Sequence, residues 1–152
     1  DSLGAGESLE DAIRKTMNDA RYAALITVDD NGQPRARTVD AFAADKNFVV
    51  WVATRPVTRK VAQIRSHPKV TLYYWHAATF SYVTVMGTAS LVDDTEVKKQ
   101  MRRPEDGEQF YPDFPDDYLL IRIEPSWIEA IVPGFQGDTQ TWRPHSLVPA
   151  EQ

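Results

Sequence analysis

The sequence predicts a small, mainly β protein: an antiparallel sheet closed into a barrel, with short helices at its periphery. Three observations carry that prediction. Six or so runs rich in β-branched and aromatic residues follow one another along the chain, several with alternating apolar and polar positions. Most connections between them are too short to hold a crossover helix, which disfavours a parallel sheet. Closure into a barrel would remove the unpaired edges that an open sheet presents.

The elements follow in order. Ser8-Leu9-Glu10-Asp11 reads as a helix start, with Ser8 as N-cap and acidic residues in the first turn. Leu9, Ala12, Ile13, Thr16 and Met17 recur at helical spacing, so the helix should run to about Asn18–Ala20. Tyr22–Val28 is a strand closed by Asp29-Asp30-Asn31-Gly32, a hairpin signal whose Asn-Gly pair predicts positive φ at both residues. Pro34–Phe42 returns, and Asn47–Ala53 is the next strand. Pro56 opens a second helix, Val57–Ser66, which His67-Pro68 ends. Lys69–Trp75 and Phe80–Val92 are further strands, the second interrupted at Gly87. Thr95–Met101 predicts a short helix, and the Pro-, Asp- and Glu-rich stretch Arg102–Asp117 a surface excursion covering one face. Tyr118–Ile123 and Trp127–Val132 are strand, either two or one bent at Pro125. From Pro133 onward, Gly134, Gly137, Pro144 and Pro149 predict an irregular tail.

The 152 residues fit one domain, 1–152, with its core at about 8–132 and the tail at 133–152. A net charge of −5 argues against nucleic acid or an anionic membrane as partner, while a local basic cluster can still hold a small anion. No run approaches the ~18 apolar residues of a membrane span. The absence of cysteine excludes disulfides, thiolate metal sites and cysteine nucleophiles. His67, His76 and His145 lack metal-ligand spacing, so no metal is expected. A cytoplasmic location is expected, and the non-Met first residue leaves an exported form open.

Two basic clusters flank an apolar strand. Arg35 and Arg37 share a parity and leave one face of their strand; Arg59 and Lys60 lie at the start of the second helix, where free N–H groups favour an anion. Thr54 and Thr58 add hydroxyl donors. Convergent guanidinium, ammonium and hydroxyl groups suit a phosphate, although any one basic pair taken singly reads better as a solvated surface. Trp51, Tyr73, Tyr74, Trp75, Phe80 and Tyr82 read as core or dimer contact, with Trp75 and His76 as candidates for lining a cleft mouth.

The order of these pieces resembles a family. Gln33-Pro34-Arg35-Ala36-Arg37-Thr38-Val39, Phe48-Val49-Val50-Trp51-Val52-Ala53-Thr54, Thr58-Arg59-Lys60-Val61-Ala62-Gln63-Ile64 and His67-Pro68-Lys69-Val70-Thr71-Leu72-Tyr73-Tyr74 together resemble the pyridoxamine 5′-phosphate oxidase-like split-barrel proteins, and within them the general stress protein 26 group. Tyr82–Ala89 is similar to that group's next strand, so the resemblance covers roughly residues 8–132. It implies a six-stranded antiparallel split barrel that forms a homodimer and binds FMN in clefts at the subunit interface. Arg37 would meet the phosphate or the flavin edge, Thr38 and Val39 would run along the ring, and Ala53 and Thr54 would sit beside ring and ribityl chain. Thr58, Arg59 and Lys60 would grip the phosphate. Tyr82 falls where the oxidases place a polar contact from the partner subunit. Apart from the resemblance, Trp142 and Arg143 of the tail read either as a cap on the flavin or on a ligand of the partner subunit, or as a tail packed across the dimer.

A flavin performs its own redox chemistry, which agrees with a sequence that shows no catalytic acid or base. The expectation is an FMN-dependent oxidoreductase acting on a small molecule. Alternatives are a deazaflavin-dependent reductase and a non-catalytic flavin-binding stress-response module. Residues 127–144 do not match the late basic and aromatic residues of the enzymes that oxidise pyridoxamine phosphate, so that reaction itself is not expected.

Overall fold

The computed structural model describes residues 7–149; the expected domain's ends, 1–6 and 150–152, lie outside the described residues. The chain runs α1 (Leu9–Ala20), β1 (Ala23–Val28), β2 (Pro34–Val39), β3 (Val50–Thr54), α2 (Arg59–Ser66), β4 (Lys69–His76), a 3-10 turn (Ala77–Thr79), β5 (Ser81–Val92), α3 (Thr95–Met101), β6 (Leu119–Ile131) and β7 (His145–Leu147). The strands form one seven-stranded antiparallel sheet in the order β2-β1-β4-β5-β6-β3, with β7 on β6. The tail, expected to be irregular, thus contributes a short strand to the sheet. Among the described residues, no helix is long and apolar enough to cross a membrane.

Alternation builds a shared interior. Leu25, Leu72, Val83, Val85, Ile123 and Ile128 are fully buried, and Val39 from β2 and Val50 and Val52 from β3 join the same cluster. The two end strands therefore close on one core although they do not pair directly. Phe42, just past β2, donates its N–H to Trp51 O at 2.9 Å and ties the two ends together. Ile13 and Met17 of α1 plug one mouth of this barrel against β4 and β5.

Local chemistry sets the boundaries. Ser8 and Asp11 form a reciprocal capping box at α1. In the β1–β2 turn only Gly32 takes positive φ (78°), contrary to the expectation for Asn31. The reason is Asp29, whose carboxylate accepts from the N–H groups of Asn31 and Gln33 and stabilises a longer loop. Asp45 does the same for Asn47 and Val49, so β3 begins at Val50 rather than Asn47. Helix α2 begins at Arg59, because Thr58 is still extended. Residues 119–131 form one strand, bent at Pro125. Opposite the bend the register shifts between Met86 and Gly87, and a Cβ on Gly87 would lie 2.2 Å from Glu124 O.

Candidate functional site

One cleft of about 740 Å³ opens where three stretches of chain meet. The first wall is the start of β1 and the end of β2: Tyr22, Thr38, Val39 and Asp40, with Arg21 at its rim. The second is the end of β3 and the loop into α2: Ala53, Thr54, Arg55, Thr58 and Lys60. The third is the excursion Arg103–Tyr111.

The second wall is rich in donors. Thr54 Oγ1 and Thr58 Oγ1 stand 3.3 Å apart. Thr58 is the N-cap of α2, but its hydroxyl donates to Arg55 O at 3.0 Å and leaves the helix uncapped, with no acidic residue in the first turn. The free N–H groups and the helix dipole favour an anion there. Among the described residues no carboxylate lies within ion-pair distance of Arg59 or Lys60. Burial, and then the nearby Arg37 guanidinium, hold the Lys60 ammonium below its ordinary range. These cations are held together against their mutual repulsion.

Arg37 is placed differently from the sequence expectation. Its parity with Val39 turns it toward the barrel interior, where it donates to Thr27 Oγ1 (2.7 Å), Gln63 Oε1 (3.1 Å), Leu25 O (3.2 Å) and Arg35 O (3.0 Å). Thr27 in turn donates to Gln63 Oε1 at 2.5 Å. Arg37 therefore lies beneath the donor end of the cleft and does not line it. Burial and the charges of Arg35 and Arg59 lower its proton affinity.

The structure thus brings Thr38, Val39, Ala53, Thr54, Thr58 and Lys60 onto one cleft, with Arg59 exposed beside it. It does not bring Tyr82 or Trp142 there. Tyr82 stands on the outer face of β5, stacked on Tyr73 with ring centroids 5.6 Å apart. Trp142 is 69% exposed in the turn before β7. Trp75 also faces outward, against Phe80, and His76 lines a separate small cavity under α1.

The third wall was read from the sequence only as a surface excursion. Asp106, 4% exposed, organises it. Its carboxylate accepts from Tyr118 Oη (2.8 Å), from Arg103 Nε (3.2 Å) and Nη2 (3.1 Å), and from the Arg103 N–H (3.1 Å). Burial and Asp106 push the Tyr111 phenol up to about 12. Arg103 Nη2 also donates to Asp40 O at 3.0 Å, while Arg55 donates twice to Phe110 O, at 3.2 and 2.9 Å. The excursion is pinned to both other walls. An Arg-Pro-Glu-Asp run outside any helix carries no periodic signal by which this role could have been read.

FMN needs cations and donors for its phosphate and an apolar slot for its ring. The Thr54 and Thr58 hydroxyls, with Arg59 and Lys60, which have no carboxylate partner among the described residues, stand beside Val39, Ala53 and Tyr111 and fit both requirements. The model of the pyridoxamine 5′-phosphate oxidase family matches residues 9–131. The pyridoxine/pyridoxamine 5′-phosphate oxidase of Sodalis glossinidius is 32% identical over 102 residues, 66% of this chain and 46% of its own length. That of Escherichia fergusonii is 34% identical over the same shares, so the chain spans less than half the length of these relatives. General stress protein 26 of Bacillus anthracis superposes with a TM-score of 0.72 at 25% identity, over 92% of this chain and 98% of that one. A pyridoxamine 5′-phosphate oxidase-related, FMN-binding protein of Nostoc punctiforme shares the fold, with a TM-score of 0.68 at 19% identity over 96% of this chain and 100% of that one. The family match begins at the first residue of α1 and ends at the last of β6, and the chain belongs to the pyridoxamine 5′-phosphate oxidase family.

Proposed function

We propose that the chain is an FMN-dependent oxidoreductase acting on a small molecule other than pyridoxamine phosphate. The observation that carries this reading is the one-sided cleft. Two cations without a carboxylate partner among the described residues, two threonine hydroxyls and an uncapped helix start occupy one end, and Thr38, Val39 and Ala53 form the wall beside them. When bound, FMN supplies a redox centre that the side chains lack. Lys60, Arg59, Thr54 and Thr58 hold its phosphate through charge-assisted hydrogen bonds. Arg37, fixed by Thr27 and Gln63, adds positive potential from below. The wall from Arg103 to Tyr111 excludes water from one side of the cleft. The cavity volume of about 740 Å³ leaves room for a small substrate beside the cofactor.

The reading includes a homodimer with flavin sites at its subunit interface. The outer face of β4, β5 and β6 carries Tyr73, Trp75, Tyr82, Met86 and Trp127, with Trp75 43% and Trp127 40% exposed. Aromatic residues and Met concentrated on one exposed sheet face suit a protein partner. A second copy seated there would bring its Tyr82 to the neighbouring subunit. The test is a fluorescence titration of the protein with FMN and with riboflavin. Saturable binding of FMN, with riboflavin weaker by the phosphate contribution, supports the reading; absence of FMN binding refutes it.

A further inference from the structure

Next to the main cleft lies a second cavity of about 320 Å³. Arg21, Asp40, Arg103 and Glu105 line both and form the partition between them. Tyr74 reaches the second cavity from β4 while only 2% exposed, and its hydroxyl makes no hydrogen bond to any described residue. A buried tyrosine hydroxyl ordinarily has a partner. Burial raises the phenol's pKa, so the hydroxyl stays protonated and is available as a donor. Asn18, from the last turn of α1, lines the same cavity and its carboxamide is likewise without a hydrogen bond among the described residues.

Arg21 completes the set. Its Nε and Nη2 donate to the two oxygens of Asp40 at 3.3 and 3.2 Å, and Nη1 carries no hydrogen bond. Its backbone sits at φ 64°, ψ −61°, with the Tyr22 N–H on Ala20 O at 2.7 Å. That is a γ-turn of positive φ, strained for any residue with a Cβ. A strained turn places this guanidinium in the partition.

We propose that the second cavity is a binding subsite for a small carboxylate, whose oxygens accept from the Tyr74 hydroxyl, the Asn18 amide and Arg21 Nη1. Arg21 occupies both oxygens of Asp40, and the Glu105 carboxylate at the partition faces the guanidinium groups of Arg21 and Arg103. The donors on offer to a ligand are therefore the Tyr74 hydroxyl, the Asn18 NH2 and Arg21 Nη1. Met17, Ala41, Phe42 and Ala43 supply apolar surface for the rest of the ligand. The volume lies at the low end of ligand pockets and matches a single-ring molecule. A ligand held there would border the proposed flavin cleft, but its binding does not require flavin.

Benzoate tests the subsite, with benzamide as its neutral counterpart. The full chain, labelled with 13C at tyrosine Cζ, is titrated without FMN and again with FMN. The Tyr74 resonance is expected to shift saturably with benzoate. Tyr74→Phe and Arg21→Gln, checked for unchanged circular dichroism, should each weaken benzoate binding roughly tenfold, the loss expected for one buried or charge-assisted hydrogen bond. Benzamide should bind more weakly by a similar factor. Should Tyr74→Phe misfold, Arg21→Gln decides, since Arg21 pairs with Asp40 from a half-exposed side chain. No saturable shift, benzoate affinity untouched by either substitution, or equal affinity for benzamide would overturn the assignment. Because the titration is read without FMN, it stands or falls separately from the flavin reading.

Discussion

Lys60→Met separates anion binding from fold stability, because the two should move in opposite directions. A charge-assisted hydrogen bond to a phosphate contributes about 1.5–3 kcal/mol. At 1.36 kcal/mol per decade, its loss weakens FMN binding by roughly 10- to 100-fold. Riboflavin, which lacks the phosphate, should lose nothing. Stability should not fall, because Lys60 has no carboxylate partner among the described residues and folding places its ammonium in a partly buried site beside Arg37. The pH dependence follows with its sign. Lys60 is held below 10.5 in the folded state, so across the interval between its folded value and 10.5 the unfolded chain binds more protons. Wild-type stability gains a rising contribution with pH over that interval, while FMN affinity declines as pH rises through the folded value. Both dependences disappear in Lys60→Met. Fluorescence titration and urea unfolding across alkaline pH read the two effects. Equal losses of FMN and riboflavin affinity, or destabilisation at neutral pH, would refute the placement of Lys60 at the phosphate.

Further outcomes follow from the packing. Gly87→Ala places a methyl group 2.2 Å from Glu124 O, and should cost about 3 kcal/mol in urea unfolding through backbone overpacking. Asp106→Ala strips Arg103 and Tyr118 of their shared acceptor; it should cost about 3–5 kcal/mol, as removal of one member of a buried ion pair does, and FMN affinity should fall as the third wall loosens. Trp75→Ser together with Trp127→Ser should shift sedimentation from dimer to monomer if the outer face of β4–β6 is the subunit interface.

Much of this fold is legible because its signals are local. The Ser8–Asp11 box, the alternation of Val70, Leu72 and Tyr74 in β4 and of Val83 and Val85 in β5, and the Pro125 bend each announce themselves within a few residues. Boundaries shifted where a side chain captured the backbone, as Asp45 does before β3 and Asp29 does in the first hairpin. The donor end of the cleft was legible as far as Thr54, Thr58 and Lys60, which lie within seven residues of one another across the β3–α2 junction. Parity put Arg35 and Arg37 on a common face without saying which face, and the interior acceptors Thr27 and Gln63 decided it. Tyr82 and Thr38 face the same side of the sheet but stand three strands apart, a fact that needs the register of β2, β1, β4 and β5. The wall built on Asp106 depends on contacts between residues far apart in sequence, with Arg55 reaching Phe110 and Arg103 reaching Asp40. No pattern along the chain encodes those.

The most direct test is the visible absorption spectrum of the purified protein, recorded before and after addition of FMN and removal of unbound cofactor. Retained bands of oxidised flavin, in stoichiometric amount, are the predicted result. A protein that stays colourless after reconstitution would contradict the account.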